Sequence, residues 1–537
     1  MRKLISILIF VLLRISIVQA IALGDEYKKI YAEAEYYLIN ADYNRALELY
    51  LKMSAMTTPT SNVNFKIGYC YLNSSSHKTK SIPYLEDALK DISANYQEGD
   101  LKETHAPLST LYYLAKAYQY NFEFDNAIAA YQDYLTQLGT GSKVKDEVDE
   151  VNHDIETCNN AKQLVKNKID VTITNMGKNV NSPYDDYSEM ISLDETILIF
   201  TSNRDGGTSD EMQANGKFYE DIYFSHYVNG AWNQASSIGY NVNTKGNEAS
   251  LNLSADGNRL MIYKDDGGDG NIYMSTLKGM VWGVPVALNS EVNSSSWETH
   301  ASMSSDGKVI YFVSDRPGGY GGRDIYKCMK LPNGEWGKAQ NMGDVINTKY
   351  DEDGVFIHPD GKQIYFSSKG HNTMGGFDIF KTTITDENGF WSAPVNIGCP
   401  INTPDDDIFY VTTSDGKRAF ISAVKEDGFG EKDIYMITYA ENEPRDITLL
   451  IGTIVNNASG ELPKNSIIIA DAKTDEPLQT ISANTATGKF GANLPVGRSY
   501  HVFYKVNGKE IYHESIDAPV RKGYQVVTRE IPYTGKE

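Results

Sequence analysis

The sequence predicts three folded parts in series: α-helical repeats over residues 25–167, a five-bladed β-propeller over 169–440 and a small β-sandwich over 446–537. Three observations lead to this multidomain prediction. Apolar residues recur with a helical period in the first part. A unit of four short strands recurs in the second part. Short alternating strands separated by turns fill the third part.

Residues 1–22 have the pattern of a signal peptide. Arg2 and Lys3 precede an apolar run over residues 4–18, and Ala20 and Ala22 offer small-residue cleavage sites. The run is too short to span a bilayer comfortably, so we expect an exported chain without a transmembrane span. The formal net charge of −21 repels nucleic acid and anionic lipid, so we expect neither as a partner.

The helical part repeats its own pattern. Two sets of small and aromatic residues recur at the same offsets: Ala34, Tyr37, Ala46 and Tyr50; and Ala115, Tyr118, Ala127 and Tyr131. A third set, Gly68, Tyr71, Ser81 and Leu85, matches them with one inserted residue. A final helix is predicted over residues 142–166. This part resembles three tetratricopeptide (TPR) repeats, because the offset from Ala34 to Gly68 equals the period of such repeats. TPR stacks usually bind proteins or peptides. A purely bracing role for these hairpins is the alternative.

Three markers define the strand-rich unit over residues 169–440. An Asp recurs in a predicted tight turn at Asp194, Asp256, Asp306, Asp360 and Asp415. An Asn precedes each of them at a constant spacing, at Asn181, Asn243, Asn293, Asn347 and Asn402. The intervals from one unit to the next are therefore identical in the two series. A Trp precedes each of the last four Asn, again at a constant spacing, at Trp232, Trp282, Trp336 and Trp391. Units of four strands in tandem predict a β-propeller.

The way the ring closes can be predicted from the same count. The fifth unit ends near Tyr439 without a fourth strand, whereas residues 169–181 form an unassigned strand before the first unit. We therefore expect the two ends of this region to share one blade. Five blades are predicted, and the alternative of six would need residues 440–450 to begin another blade.

The repeated units resemble the PD40 (TolB-like) repeats of bacterial periplasmic propellers, which carry SPDG and DIY signatures. Here the corresponding stretches include SSDG at residues 304–307 and RDIY at residues 323–326. The glycine-rich loop between them occurs in variants in several units and feeds a strand. A phosphate-binding loop feeds a helix. We therefore interpret this loop as scaffold.

One set of carboxylates is a candidate site. A carboxylate lies five residues after each marker Asn, at Asp186, Glu248, Glu298, Glu352 and Asp407. These residues should open the innermost strands and ring one mouth of the central channel, where they could bind a cation or a basic peptide end. Trp297 beside them is the one aromatic residue that points to a ligand. The alternative is that each carboxylate pairs with a cation of its own blade, at Arg204, Lys264, Arg316, Lys369 and Lys425.

The C-terminal part resembles a carboxypeptidase regulatory-like domain, which is a seven-stranded, immunoglobulin-like sandwich. The matching features are Gly452, Leu462-Pro463, a turn at residues 487–490 and LPVG at residues 494–497. Such modules usually serve as spacers or interaction domains.

The sequence predicts no catalytic, cofactor-binding or metal-ligating residues. It has no GxSxG, HExxH or P-loop motif, and its nine His show no paired spacing. We therefore expect a protein that is not an enzyme and that needs no cofactor.

The order of signal peptide, TPR repeats, PD40 propeller and regulatory-like sandwich resembles the PorE-type component of the Bacteroidota type IX secretion and gliding machinery. The resemblance implies a periplasmic scaffold, peripherally associated with the outer membrane. Expected partners are outer-membrane or periplasmic proteins, such as a PorP-like barrel or secretion-ring subunits. The family carries a C-terminal OmpA-like domain that holds peptidoglycan. This sequence lacks it, so we do not expect peptidoglycan binding. A propeller that binds a glycan or peptide is the alternative.

Overall fold

A computed structural model describes residues 24–535, except 75, 76, 140, 266, 386–388, 442–445, 458, 459, 521 and 522. The predicted signal peptide lies outside the described residues. The chain divides into two compact units. The first extends to Lys162 and includes Met212–Lys217, and the second comprises Gln163–Glu211 and Phe218–Glu537.

The first unit is built from antiparallel helices and one two-stranded sheet. Its elements are α1 (24–39), α2 (Tyr43–Met56), α3 (Ser61–Asn73), α4 (Ser81–Ala88), β1 (Ile92–Ser93), β2 (Ala106–Pro107), α5 (Thr110–Tyr120), α6 (Phe124–Leu138) and α7 (Lys145–Lys166). Asp42 and Thr60 cap α2 and α3 by accepting backbone N–H bonds. A Cβ added at Gly68 of α3 would lie 2.6 Å from Cγ of Leu85 in α4, so this crossing requires a residue without a side chain. The assignment of these helices to TPR repeats stays a prediction.

The second unit contains the propeller, whose strands follow the predicted four-strand units. Its first elements are β3 (Val171–Asn175), then blade 1 with β4 (Asp186–Ile191), β5 (Ile197–Ser202), β6 (Asp221–Val228), β7 (Ala231–Trp232) and β8 (Ser236–Ser237). Blade 2 has β9 (Glu248–Leu253), β10 (Arg259–Asp265), β11 (Gly270–Lys278), β12 (Val281–Trp282) and β13 (Val286–Ala287). Blade 3 has β14 (Glu298–Met303), β15 (Val309–Ser314), β16 (Asp324–Met329) and β17 (Gln340–Asn341).

The remaining blades complete the ring. Blade 4 has β18 (Glu352–Ile357), β19 (Gln363–Ser368), β20 (Asp378–Thr383) and β21 (Val395–Asn396), and blade 5 has β22 (Val411–Thr412), β23 (Arg418–Ala423) and β24 (Asp433–Tyr439). The early strand β3 pairs antiparallel with β24 and supplies the fourth strand of blade 5, as predicted from sequence. Blades 5 and 1 share an apolar cluster that includes Phe200 and Phe420, so the ring of blades is closed.

The predicted tight turns join the first two strands of each blade. The glycine of the Asp-Gly turn has a positive φ in blades 2 to 5, between 68° and 70°. Glu195 takes that place in blade 1, with φ of 57°. Glycine adopts this conformation without a steric penalty, which is why Asp-Gly recurs at these turns.

The C-terminal part of the second unit is a sandwich of two sheets. Its strands are β25 (Ile447–Asn456), β26 (Asn465–Asp471), β27 (Pro477–Ile481), β28 (Lys489–Pro495), β29 (Arg498–Val506), β30 (Lys509–Ala518) and β31 (Tyr524–Tyr533). One sheet has the order β28-β25-β31 and the other β27-β26-β29-β30, around a shared apolar core. Because β25 belongs to this sandwich, the described residues of 440–450 do not begin a sixth blade. The kinship to a regulatory-like domain stays a prediction.

The sandwich packs on the tight turns of the propeller. Asn258 of blade 2 donates a hydrogen bond of 2.8 Å to the carbonyl of Ser482. Asn484 donates one of 2.8 Å to the carbonyl of Gly279, also in blade 2. Gln479 donates one of 2.8 Å to the carbonyl of Ser305 in blade 3. These bonds fix the sandwich over one end of the propeller.

Candidate functional site

The glycine-rich loop of blade 3 is scaffold, as the sequence predicts. Asp324, the first residue of β16, accepts backbone N–H bonds from Tyr320 at 2.6 Å and Gly321 at 3.1 Å. The amide of Asn341 donates to the same carboxylate at 2.7 Å. Among the described residues, no group of three or more His, Cys, Asp or Glu is placed to hold a metal ion.

The marker Asn residues tie neighbouring blades together. The side chain of Asn347 accepts the backbone N–H of Ile325 at 2.8 Å and donates to its carbonyl at 3.0 Å. The side-chain amide thereby supplies the acceptor and the donor that a residue of a neighbouring strand would supply. It satisfies the backbone N–H and carbonyl of Ile325 in the third strand of the blade. The other marker Asn residues make the same pair with Ile434, Ile222, Ile272 and Ile379. The periodic Asn is therefore a structural connector.

The five candidate carboxylates are buried in their own blades. Asp186, Glu248, Glu298 and Glu352 begin the innermost strands and are fully buried, and Asp407 is 5% exposed. Each accepts the backbone N–H of the residue four positions earlier, at 2.5–3.0 Å. Because these bonds close a tight loop after each marker Asn, the carboxylates are part of the framework. The predicted open ring at the channel mouth is corrected accordingly.

The predicted pairing with a cation of the same blade holds in three blades. Asp186 forms an ion pair with Arg204, Glu248 forms one with Lys264 at 3.0 Å, and Glu298 forms one with Arg316 at 3.0 Å.

Blade 4 departs from this pattern. Lys369 forms an ion pair with Asp351 at 3.7 Å, because it lies one residue beyond Ser368, which faces Glu352 across the strands. Successive side chains of a strand point to opposite faces, so an odd offset turns this lysine away from Glu352. Burial raises the pKa of Glu352 to about 7. In blade 5, burial and the neighbouring Asp378 raise the pKa of Asp407, although Lys425 lowers it.

Trp297 is half exposed, and its place at a channel mouth stays a prediction. Its side chain is 49% exposed, and its backbone N–H donates to Asp315 at 2.8 Å. A Cβ added at Gly270 of blade 2 would lie 2.5 Å from Nε1 of Trp297, so the indole packs directly on the backbone of that glycine.

A small cavity lies in the channel at the end where the innermost strands finish. Its volume is about 60 Å³, and all five innermost strands contribute to its lining. Glu189 of blade 1 and His300 of blade 3 line it. Glu189 is 1% exposed, and neither of its carboxylate oxygens has a hydrogen-bond partner on another residue; its own backbone N–H is the one group that lowers its pKa. Burial raises the pKa of Glu189 to about 8 and lowers the pKa of His300 to about 4.

Sequence reasoning missed Glu189, although the repeat contains a signal for it. The position five residues before the turn Asp holds Leu251, Ala301, Val355 and Tyr410 in the other blades. All four are buried members of the core between blades. A carboxylate in a position that the repeat otherwise fills with apolar side chains is the feature that could have been found.

A larger apolar groove lies between blades 1 and 2 and the sandwich. Its volume is about 320 Å³, and Phe224, Trp282 and Phe490 lie in its lining. Tyr227 and Met280 also line it, and these side chains are 44% and 67% exposed. The groove is therefore bordered by accessible apolar surface.

The comparisons with known proteins concern the fold alone. No protein-family model matches the chain, and no curated protein matches it. TolB from Acinetobacter baumannii is 18% identical, with a TM-score of 0.30 over 48% of this chain and 55% of that one. The putative TolB from Agrobacterium tumefaciens is 15% identical, with a TM-score of 0.31 over 61% and 98%. The β-xylosidase/α-arabinofuranosidase CoXyl43 from a compost microbial metagenome is 11% identical, with a TM-score of 0.34 over 51% and 96%.

One prediction made from the sequence is changed by the comparisons. The prediction that the chain is not an enzyme is corrected, because the similar structures include glycoside hydrolases. Among the described helices, none combines the length and apolar character needed to cross a membrane.

Proposed function

We propose that this chain is a scaffold that holds partner proteins in a periplasmic complex at the outer membrane. The observation that carries the proposal is the apolar groove of blades 1 and 2, with its exposed rim. Apolar surface bordered by polar residues is typical of sites that bind other proteins. The buried, internally bonded carboxylates of the blades support the same view, because they leave the channel mouth with little charge to offer a soluble ligand.

The occupant that fits the groove is an apolar segment of a partner protein. Tyr227 lies near the end of β6, before the hairpin to β7, and Met280 lies in the hairpin between β11 and β12. Val281 and Val284, close to Met280 in the sequence, are 61% and 71% exposed. Aromatic residues and Met are enriched in the cores of protein interfaces. Met also adapts its shape to different apolar partners.

The type IX secretion or gliding assignment is the finer part of the proposal. It rests on the order of TPR repeats, PD40 propeller and regulatory-like sandwich, which resembles the PorE-type component. We propose a PorP-like barrel or a secretion-ring subunit as the partner, and a periplasmic chain held peripherally at the outer membrane.

Site-specific photo-crosslinking in cells tests the proposal. A photoreactive amino acid replaces Met280 in the groove or, as the matched control, Met329 of blade 3, whose side chain is 52% exposed. We expect position 280 to capture an outer-membrane barrel or secretion-ring subunit, and position 329 to capture none. Equal labelling at both positions, or no adduct at position 280, would contradict the proposal.

The alternative function is a propeller that binds a glycan or a peptide. Trp297 favours it, because this half-exposed residue directly precedes the buried Glu298 in the sequence, where the sequence predicts the channel mouth. Aromatic rings are common in the lining of ligand sites. Loss of glycan or peptide binding on Trp297→Ala, with an unchanged crosslink at position 280, would favour this alternative.

A further inference from the structure

Glu189 is a buried carboxylate that the protein leaves without a partner. It lies within the propeller, lines the channel cavity, and is 1% exposed. Burying a carboxylate without a hydrogen-bond partner is costly, and proteins normally avoid it. The side chain therefore requires a reason other than folding.

The fold itself does not require an acid at this position. The equivalent residues of the other blades are Leu251, Ala301, Val355 and Tyr410, which are all buried and none of which is acidic. Unsatisfied polar groups of this kind are found where a protein exchanges stability for function. The repeat thus supplies an internal comparison in which blade 1 is the exception.

The rest of the cavity lining offers lone pairs. The hydroxyl of Ser188 donates its proton to the carbonyl of Ser250 at 2.5 Å, and that of Thr413 donates to Asp415 at 2.7 Å while its oxygen already accepts the backbone N–H of Arg418 at 3.2 Å. The oxygens of these hydroxyls can then only accept. A hydrogen bond to the backbone of Val355 acts to raise the pKa of His300, which means that the ring is the donor in this bond. The ring nitrogen Nδ1 has no hydrogen-bond partner. A neutral imidazole that donates through one nitrogen offers a lone pair on the other.

We propose that the channel cavity binds a primary ammonium group, with the Glu189 carboxylate as its counter-ion. An ammonium group has three N–H donors and no acceptor, which matches a carboxylate surrounded by lone pairs. The volume of about 60 Å³ corresponds to about two water molecules at about 30 Å³ each, which is room for such a small group. The ammonium group can belong to a free small amine or to a lysine side chain. This inference is independent of the docking groove.

Calorimetric titration of the full chain with methylammonium chloride tests the inference. Tetramethylammonium carries the same charge without N–H donors and serves as the ligand control. We expect one saturable site for methylammonium, at least tenfold weaker binding on Glu189→Gln, and no change on the exposed control Glu426→Gln. If Glu189→Gln does not fold, Glu189→Leu introduces the residue that blade 2 has at this position, Leu251, and should fold while losing the site.

Proton release gives a second measurement. Glu189, His300 and Tyr410 are the ionisable side chains in the lining. Because the pKa of Glu189 is raised to about 8, binding at pH 7 should release about 0.9 protons, and affinity should rise with pH up to that value. Titrations in buffers of different ionisation enthalpy measure this release.

A capped Ala-Lys-Ala peptide and its Nε-acetyl form distinguish the two sources of the ammonium group, a lysine side chain and a free small amine. Binding of the first but not the second assigns the site to a lysine side chain. Binding of methylammonium alone assigns it to a free amine. Absence of saturable methylammonium binding, or equal binding by Glu189→Gln, would show that water alone fills the cavity and would overturn the inference.

Discussion

Replacing Glu189 by Gln should change how the stability of the propeller depends on pH. Burial raises the pKa of Glu189 from 4.5 to about 8 in the folded protein. The folded state therefore binds more protons than the unfolded state between these two values. The free energy of unfolding of the wild type falls as pH rises through this window, and the amide of Gln removes that dependence.

The size of the effect follows from the two pKa values. At 1.36 kcal/mol per pH unit, the change from 4.5 to about 8 corresponds to about 5 kcal/mol once the carboxylate is fully ionised. The difference in unfolding free energy between Glu189→Gln and wild type should grow by about 4 kcal/mol from pH 5 to pH 9, in favour of the variant.

Denaturant unfolding followed by tryptophan fluorescence measures this difference. All five Trp lie within residues 169–440, so their emission reports on the propeller even if the other parts unfold separately. The exposed Glu426→Gln should follow the wild-type curve at every pH. Parallel curves for Glu189→Gln and wild type, with a constant offset from pH 5 to pH 9, would refute the reasoning.

Three further variants test packing and closure. Gly68→Ala should destabilise the helical unit by about 1–3 kcal/mol, because its Cβ would lie 2.6 Å from Leu85 Cγ. In circular dichroism melts, Leu85→Ala added to it should cost less than the sum of the single changes. Asn347→Ala should cost the propeller about 3 kcal/mol, since it leaves the backbone N–H and carbonyl of Ile325 unpaired. Thr174→Pro should lower the denaturant midpoint of tryptophan fluorescence, because Thr174 faces Met436 in the same alternating set of bonded pairs as Met176 with Ile434, so proline removes a bond between β3 and β24.

Controls and contrary outcomes differ between these variants. Additive effects of Gly68→Ala and Leu85→Ala would show that the two residues do not share a close contact. Asn333→Ala in an exposed turn is the matched control for Asn347→Ala, and equal costs would contradict the connector role. An unchanged midpoint for Thr174→Pro would show that the ladder between β3 and β24 contributes nothing to the stability of the ring.

The propeller could be predicted from sequence because its markers have direct physical causes. Asp-Gly recurs where the turn between the first two strands of a blade needs a positive φ at the glycine, so it marks the blades. The missing fourth strand after Tyr439 left β3 as the one candidate to complete blade 5, and the structure pairs them. The periodic Asn could be counted but not explained, because its partner is the backbone of an Ile in the preceding blade or, for Asn181, at the far end of the propeller sequence.

The candidate site was harder to predict because it depends on which face of a strand a residue occupies. The offset of Lys369 from Glu352 is odd, so its side chain pairs with Asp351 instead. A β-bulge in the innermost strands, such as the register shift between Tyr187 and Met190, further changes which residues face the channel. The groove was invisible in the sequence, because its lining comes from two blades and the sandwich.

The most direct test of the scaffold proposal is the recovery of full-length variants with outer membranes. Met280→Glu places a charge in the groove, and Met329→Glu places the same charge on an exposed surface of blade 3. We expect Met280→Glu to fall at least tenfold in the membrane fraction and in co-purification with a barrel or secretion-ring subunit, and Met329→Glu to remain at the wild-type level. Equal recovery of both variants, with unchanged melting temperatures, would contradict the claim that this groove holds the partner.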